Sequence, residues 1–178
     1  MKKSIAVAML AGLLAGCAAT NAFVHMKPDY SDLPEADLRA LAGAIEAAVA
    51  AGEESFTLEA PASIVVDVPA IQQAIRTRAI RSPLVSDFLD SGFASEQSNG
   101  LMAVLRSSAY KKATTGQQRD REALIVMSEN NNRWAIYEGL LEANNWPPRS
   151  LSAIQAIFFE ARVPLLKPGQ AHESLPGA

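Results

Sequence analysis

The strongest constraint on the fold is a long helical repeat in the second half of the chain. Its apolar side chains recur at the spacing of one helix face and are Leu124, Met127, Trp134, Tyr137 and Leu141. The repeat predicts a helix over about 117–144. The sequence Asn-Asn-Trp-Pro-Pro at 144–148 ends that helix, because proline cannot continue it.

A second helical repeat follows after a short connection. Its apolar positions are Leu151, Ile154, Ile157, Phe158 and Ala161. Ser150 stands where a capping side chain is expected, and Pro164 marks the end of this helix. A connection this short predicts that the two helices are antiparallel neighbours.

Two further helices are predicted nearer the N-terminus. The sequence Ser-Asp-Leu-Pro-Glu at 31–35 is typical of a helix start, and Gly52 is typical of a helix end. We expect Asp67 to cap the next helix, which reaches Gly92. At Ser82-Pro83 that helix either bends or gives way to a new one. Residues 53–66 between the two helices read as an extended connection or a short strand.

The segment 93–105 differs from the helices around it. Asn99-Gly100 is a turn signal between two apolar runs and predicts a small hairpin. Residues 106–116 read as a polar loop. The fold class is therefore mainly α, a small helical domain with a short β-hairpin insertion.

The N-terminus has the pattern of a secretory signal. Two lysines precede a short apolar run that ends in Leu-Ala-Gly-Cys at 14–17. This quartet resembles the bacterial lipobox, which implies lipidation of Cys17 and removal of residues 1–16; the alternative is an ordinary signal peptide that happens to contain a cysteine. Cys17 is the only cysteine in the chain, so no disulfide forms within it. Ala18 in the second mature position implies the periplasmic face of the outer membrane.

This interpretation divides the chain into a signal peptide at 1–16, a lipidated tether at 17–30, a helical domain at 31–170 and a disordered tail at 171–178. Removing residues 1–16 takes two lysines from a chain of net charge −3 and leaves −5. A charge of this sign argues against nucleic acid as a partner and against a polybasic membrane-surface role.

Five polar side chains are candidates for an interaction surface: Asn130, Arg133, Tyr137, Arg78 and Arg81. The first three share one helix face, where they would grip a phosphate or a partner's carboxylate. In the alternative interpretation, Arg133 pairs with Glu129 and Tyr137 packs in the core with its hydroxyl at the rim. Arg78 and Arg81 either meet a lipid headgroup or an acidic partner, or lie on a solvated face.

No catalytic or metal-binding set stands out. The two histidines, His25 and His172, fall in the predicted tether and tail, and the chain has no Gly-x-Ser-x-Gly motif. A zinc site needs three or four convergent ligands. We therefore predict a protein that is not an enzyme and uses neither metal nor cofactor.

Residues 68–170 resemble the YdbL-like family of bacterial envelope proteins, a domain of unknown function. The matching elements, in chain order, are Arg78 and Arg81, Gly92, Gly100-Leu101, Asn130-x-x-Arg133-x-x-x-Tyr137 and Lys167-Pro168-Gly169. The resemblance implies an accessory or adaptor role in envelope assembly or intermembrane lipid transport, with an envelope protein as partner. Two alternatives are a small lipid-binding carrier and an unrecognised hydrolase.

Overall fold

A computed structural model describes residues 28–55, 57 and 59–174 of the chain. These residues form a mainly helical domain with a small three-stranded sheet, which confirms the predicted fold class. The predicted signal peptide, Cys17 and most of the predicted tether lie outside the described residues, as does the end of the tail from residue 175.

Five α-helices and three short strands follow one another along the described chain. The helices are α1 (Glu35–Ala51), α2 (Pro69–Asp90), α3 (Ser108–Ala113), α4 (Gly116–Ala143) and α5 (Leu151–Arg162). The strands are β1 (Ala94–Glu96), β2 (Met102–Val104) and β3 (Ala171–His172). All four predicted helices are therefore confirmed, and α3 lies in the segment that was predicted to be a polar loop.

Of the three predicted helix caps, one is confirmed and two differ. Gly52 ends α1 as predicted, with a left-handed φ of 71° that suits glycine. Val68 rather than Asp67 precedes α2, because Pro69 begins the helix and the residue before a proline is extended. Ser150 closes a short 3₁₀ turn before α5 and makes no capping hydrogen bond.

Helix α2 continues through Pro83 without interruption. Of the two possibilities at Ser82-Pro83, the start of a new helix is therefore wrong. Pro83 has no backbone N–H, so the carbonyl group of Ala79, four residues earlier, lacks its usual hydrogen bond within the helix.

The predicted hairpin is confirmed. β1 pairs antiparallel with β2 in a register that sets Glu96 opposite Met102, and Gly100 in the turn has a φ of 76°. β3 adds to the free edge of β1 in parallel, with Ser95 opposite Ala171. The prediction of disorder from residue 171 is wrong at this strand.

The main core lies where α1, α2, α4 and α5 meet. Helix α4 packs chiefly against α2, and α5 packs chiefly against α1. The predicted α4–α5 contact exists, since the Tyr137 and Phe158 rings lie 5.1 Å apart. It is less extensive than the α2–α4 and α1–α5 contacts. A smaller second core beneath α3 contains Phe88, Leu89, Ala94, Met102, Tyr110 and Val126.

The buried face of helix α4 is rotated away from the stripe that its apolar repeat predicts, although Tyr137 belongs to both. Leu124 is 58% exposed and Met127 is 54% exposed, although both belong to the predicted core stripe. The buried face instead runs through Val126, Glu129 and Arg133. A helix that buries two charged residues needs partners of opposite charge, and apart from each other these come from α2 and β1.

Candidate functional site

Six charged side chains meet in the interior of the domain, and none is more than 6% exposed. We call them the buried ion ring. Its members are Glu46 on α1, Arg78 on α2, Glu96 on β1, Glu129 and Arg133 on α4, and Arg162 on α5. Buried charges are tolerated when they are paired and hydrogen-bonded, so the geometry of each carboxylate decides what the ring does.

Glu46 lies between two guanidinium groups. Arg78 binds it through both Nη atoms, which lie 2.9 and 2.8 Å from Oε1 and Oε2. Arg162 binds the same carboxylate through Nε at 3.0 Å and Nη2 at 2.9 Å. Both contacts are two-pronged, the geometry in which arginine recognises a carboxylate most strongly.

Glu129 also accepts hydrogen bonds from two arginines of the ring. The Nε atom of Arg78 and the Nε atom of Arg133 each lie 2.8 Å from its Oε1. Arg133 is four residues further along the same helix, so this pair is local. The half-buried Arg81 reaches the other oxygen of Glu129 at 3.5 Å.

Glu96 closes the circuit. Arg133 binds its two oxygens at 2.7 and 2.9 Å, and Nη1 of Arg162 lies 2.9 Å from its Oε2. The charges therefore alternate around a closed circuit that visits Glu129, Arg78, Glu46, Arg162, Glu96 and Arg133 before it returns to Glu129.

The hairpin turn docks on this ring through one carbonyl group. The carbonyl oxygen of Gly100 accepts hydrogen bonds from Tyr137 Oη at 2.8 Å, Arg162 Nη1 at 3.2 Å and Arg133 Nη1 at 3.3 Å. A Cβ atom at Gly100 would lie 3.0 Å from both Tyr137 Oη and the carbonyl oxygen of Gln155. The turn therefore needs glycine for its φ and also for its close approach.

The charges of the ring stabilise each other's ionised forms. Burial alone would raise the pKa of Glu129, but the charges of Arg78 and Arg133 outweigh burial and lower that pKa to about 2. For Glu46 and Glu96, too, burial is outweighed by the neighbouring guanidinium groups, and the pKa of each is lowered. The pKa of Arg162 is raised well above its ordinary value: burial opposes this, and the carboxylates of Glu46 and Glu96 overcome it.

This electrostatic state limits the chemistry of the ring. A general acid or base works best when its pKa lies near the operating pH, and all three carboxylates are held ionised far below neutrality. The Nε atom and both Nη atoms of each guanidinium group already donate to carboxylates of the ring. The ring is a brace that ties α1, α2, α4, α5 and β1 together.

The predicted interaction surface is therefore not a surface. Arg78, Arg133 and Tyr137 are buried, and Arg81 is half-buried. The alternative pairing of Arg133 with Glu129 is confirmed, whereas the solvated face is wrong for Arg78 because its charge is neutralised inside the protein. Tyr137 packs in the core as expected, but its hydroxyl lies in the interior rather than at the rim.

Asn130 has a different structural task. Its side-chain amide accepts a hydrogen bond from the backbone N–H of Met102 and donates one to the carbonyl of the same residue, both at 2.9 Å. It therefore takes the place of a neighbouring strand along β2. Like the ring, this contact positions the hairpin against α4.

Three ring members were not predicted: Glu46, Glu96 and Arg162. Glu46 and Arg162 do carry a sequence signal, since each continues an apolar helix stripe, four residues after Ala42 and Phe158 respectively. A charge at a core position indicates a buried partner of opposite sign. Glu96 has no such signal, because a three-residue strand is too short to show a period.

All six members of the ring also line a small cleft of about 140 Å³. Its walls include Val85, Leu89 and Leu166, and its rim includes Lys167 and Gln170. Lys167 and Gln170 both bind the carboxylate of Asp90, at 2.8 and 2.7 Å, so the segment before β3 is fastened over the cleft.

Within the part of the chain that the structure describes, no helix combines the length and apolar character needed to cross a membrane. The same residues contain no cluster of three or more metal-binding side chains. No family model, curated protein or solved structure matches the chain, so the resemblance to the YdbL-like family stays a prediction.

Proposed function

We propose that this chain is a non-catalytic accessory or adaptor lipoprotein, anchored through Cys17 at the periplasmic face of the outer membrane. It acts through an envelope protein partner in envelope assembly or intermembrane lipid transport. One observation carries the non-catalytic part of the proposal: six charged side chains are buried together in the ion ring, and every member of the ring is engaged by another member.

The two alternatives fit the interior less well. The cleft beside the ring holds about 140 Å³, whereas pockets for drug-sized ligands hold roughly 300–1,000 Å³. This is small for the acyl chains that a lipid carrier must enclose. A larger cavity of about 720 Å³ lies along residues 57–76, but most of its lining residues are exposed, so it is a surface groove and not an enclosed pocket. A hydrolase of the serine type needs a histidine base beside its nucleophile, and the sole histidine in the described ranges, His172, is exposed on β3.

An adaptor needs a surface for its partner, and α2 offers an exposed apolar pair. Ile80 is 60% exposed and Leu84 is 49% exposed. They are four residues apart and therefore neighbours on one helix face. Apolar residues gathered on a surface are typical of protein interaction sites.

The proposal is tested with the full chain, carrying whatever lipid the cell attaches, as bait in detergent-solubilised envelopes. We expect a defined envelope protein to co-purify in a constant molar ratio, and less phospholipid than one molecule per chain. Cys17→Ser should abolish the incorporation of labelled palmitate and reduce capture, because the protein no longer reaches its membrane.

A matched pair of variants tests whether the partner binds through the exposed apolar pair or adheres to the protein non-specifically. Ile80→Glu places a charge in the exposed apolar pair, and Ala70→Glu places the same charge at another exposed position of α2. We expect the first to lower capture and the second to leave it unchanged, with equal melting temperatures. One phospholipid per chain and no protein in constant ratio would instead favour the carrier; palmitate retained on Cys17→Ser would refute the anchor.

A further inference from the structure

The cations of this protein fall into two groups. Those in salt bridges are Arg39, Arg78, Arg81, Arg133, Arg149, Arg162 and Lys167. Apart from Arg76 on α2, the remaining lysines and arginines of the described chain all lie between residues 106 and 121. We call these the basic corner: Arg106, Lys111, Lys112, Arg119 and Arg121.

Three cations of the basic corner converge on one pocket. Arg106, Lys111 and Arg119 line a cavity of about 290 Å³ between the end of β2, α3 and the first turns of α4. Asp120 is the one carboxylate among the described residues of the lining, so positive charge is in excess there. A pocket with this excess attracts an anion, and arginine in particular matches the oxygens of a phosphate.

Packing and hydrogen bonds fix two of the residues that line the pocket, Tyr110 and Arg119. Tyr110 of α3 is buried, and its ring lies 5.3 Å from that of Phe93. Its hydroxyl donates a 2.6 Å hydrogen bond to Glu122 of α4, which occupies that carboxylate. Arg119 donates to the carbonyl oxygen of Thr114 at 2.6 Å, which fixes the direction of its guanidinium without neutralising its charge.

Exposed apolar side chains border the same pocket. Leu124 and Met127 follow Asp120 at positions i+4 and i+7, so they extend the pocket wall along one face of α4. Leu105 lies next to Arg106 and is 37% exposed. Cations beside exposed apolar residues are the combination that binds the interface of an anionic membrane.

We infer that the basic corner docks on an anionic phospholipid surface, with a headgroup phosphate in the pocket of Arg106, Lys111 and Arg119 and with Leu124 and Met127 against the acyl boundary. This revises the expectation from net charge, since residues 106–122 carry five cations against two carboxylates although the chain as a whole is acidic. This docking rests on the proposed function only because the protein must lie near a membrane. The pocket and its positive charge do not depend on that function.

The test uses the full chain in non-ionic detergent micelles doped with phosphatidylglycerol. The predicted anchor is then solvated identically in every sample, and the amide and arginine side-chain signals of the corner are followed by NMR during the titration. We expect saturable shifts at Arg106, Lys111 and Arg119 that weaken with salt. The zwitterionic lipid phosphatidylcholine at the same mole fraction should cause much smaller shifts.

Single variants give the decisive comparison. Lys111→Gln should weaken phosphatidylglycerol binding about fivefold, as expected for one cation at an anionic surface. Arg76→Gln, which removes an exposed cation outside the corner, should change it less than twofold. Arg106→Gln serves as a second corner variant if Lys111→Gln fails to fold.

Three outcomes would overturn the inference. Equal shifts with phosphatidylcholine would mean that the anionic headgroup is not recognised. An equal loss in Arg76→Gln would mean that only net charge matters. Equally tight binding of inorganic phosphate, without any response of the Leu124 and Met127 methyl groups to lipid, would make the pocket a site for a soluble anion.

Discussion

Helix α4 carries arginines into two opposite environments. Near its start, Arg119 and Arg121 lie in the basic corner and make no salt bridge among the described residues. About one turn beyond its middle, Arg133 is 1% exposed and contacts two carboxylates. Arginine therefore braces the fold at position 133 and is open to a ligand at positions 119 and 121. The number of carboxylates that surround the guanidinium group decides between these two roles.

The cost of burial explains why the ring is closed. Taking an ion out of water is unfavourable, and pairing repays this only where the geometry is good and the remaining hydrogen bonds are satisfied. In the ring, each arginine contacts two glutamates and each glutamate contacts two arginines. A slip of any one helix would leave buried charges unpaired, so the ring disfavours other packings of the same helices.

The largest effect should come from opening the ring. Arg133→Ala leaves Glu96 and Glu129 each with one partner fewer in a buried site, and we expect a loss of about 3–5 kcal/mol in the free energy of unfolding. Chemical denaturation of the purified full chain measures it. Arg121→Ala, which removes an exposed arginine from the same helix, should change stability by less than about 0.5 kcal/mol. Similar losses of stability in both variants would mean that Arg133 in the ring stabilises the fold no more than Arg121 in the basic corner.

The helices themselves could be predicted because their signals are local. The prolines at 147–148 and the glycine at 52 mark helix boundaries by backbone chemistry alone. Asn99-Gly100 likewise predicts its turn. Strand β3 could not be predicted, because two residues carry no period and their pairing with β1 depends on chain brought back from the end of α5.

The buried face of α4 shows where sequence periodicity fails. Leu124 and Met127 are three residues apart on one helix face, but Glu129 and Arg133, four residues apart, lie on the face that is buried. Hydrophobicity selects the wrong face because it assigns charged residues to solvent. The correct face depends on Arg78 and Glu96, which pair with Glu129 and Arg133 and come from elements that only the tertiary fold brings together.

A smaller effect for each carboxylate should appear on acidification. The pKa of Glu129 is lowered from an ordinary value of 4.5 to about 2 in the fold, so its stabilisation is present above pH 4.5 and is lost as the pH falls towards 2. This amounts to about 3 kcal/mol for Glu129, and the lowered pKa values of Glu46 and Glu96 act in the same direction.

Urea unfolding between neutral pH and pH 2 measures this dependence. Asp90→Asn is the control: it removes an exposed carboxylate whose pKa is lowered by its hydrogen bond to Lys167, and it should leave the acid transition in place. Stability that stays constant from pH 5 down to pH 3 would contradict the assignment of the ring as the main acid-labile element.

The smallest effect, with the opposite sign, is expected in the basic corner. Arg106 precedes Ser107, which caps the N-terminus of α3, and it shares a pocket with Lys111 and Arg119. A cation at a helix N-terminus and beside other cations is unfavourable. Arg106→Gln should therefore raise the free energy of unfolding by a few tenths of a kcal/mol at low salt, and high salt should remove the gain through screening. Denaturation curves at the two salt concentrations measure the difference. A clear loss of stability in Arg106→Gln would show that this arginine has a structural partner, and the corner would then resemble the ring instead of contrasting with it.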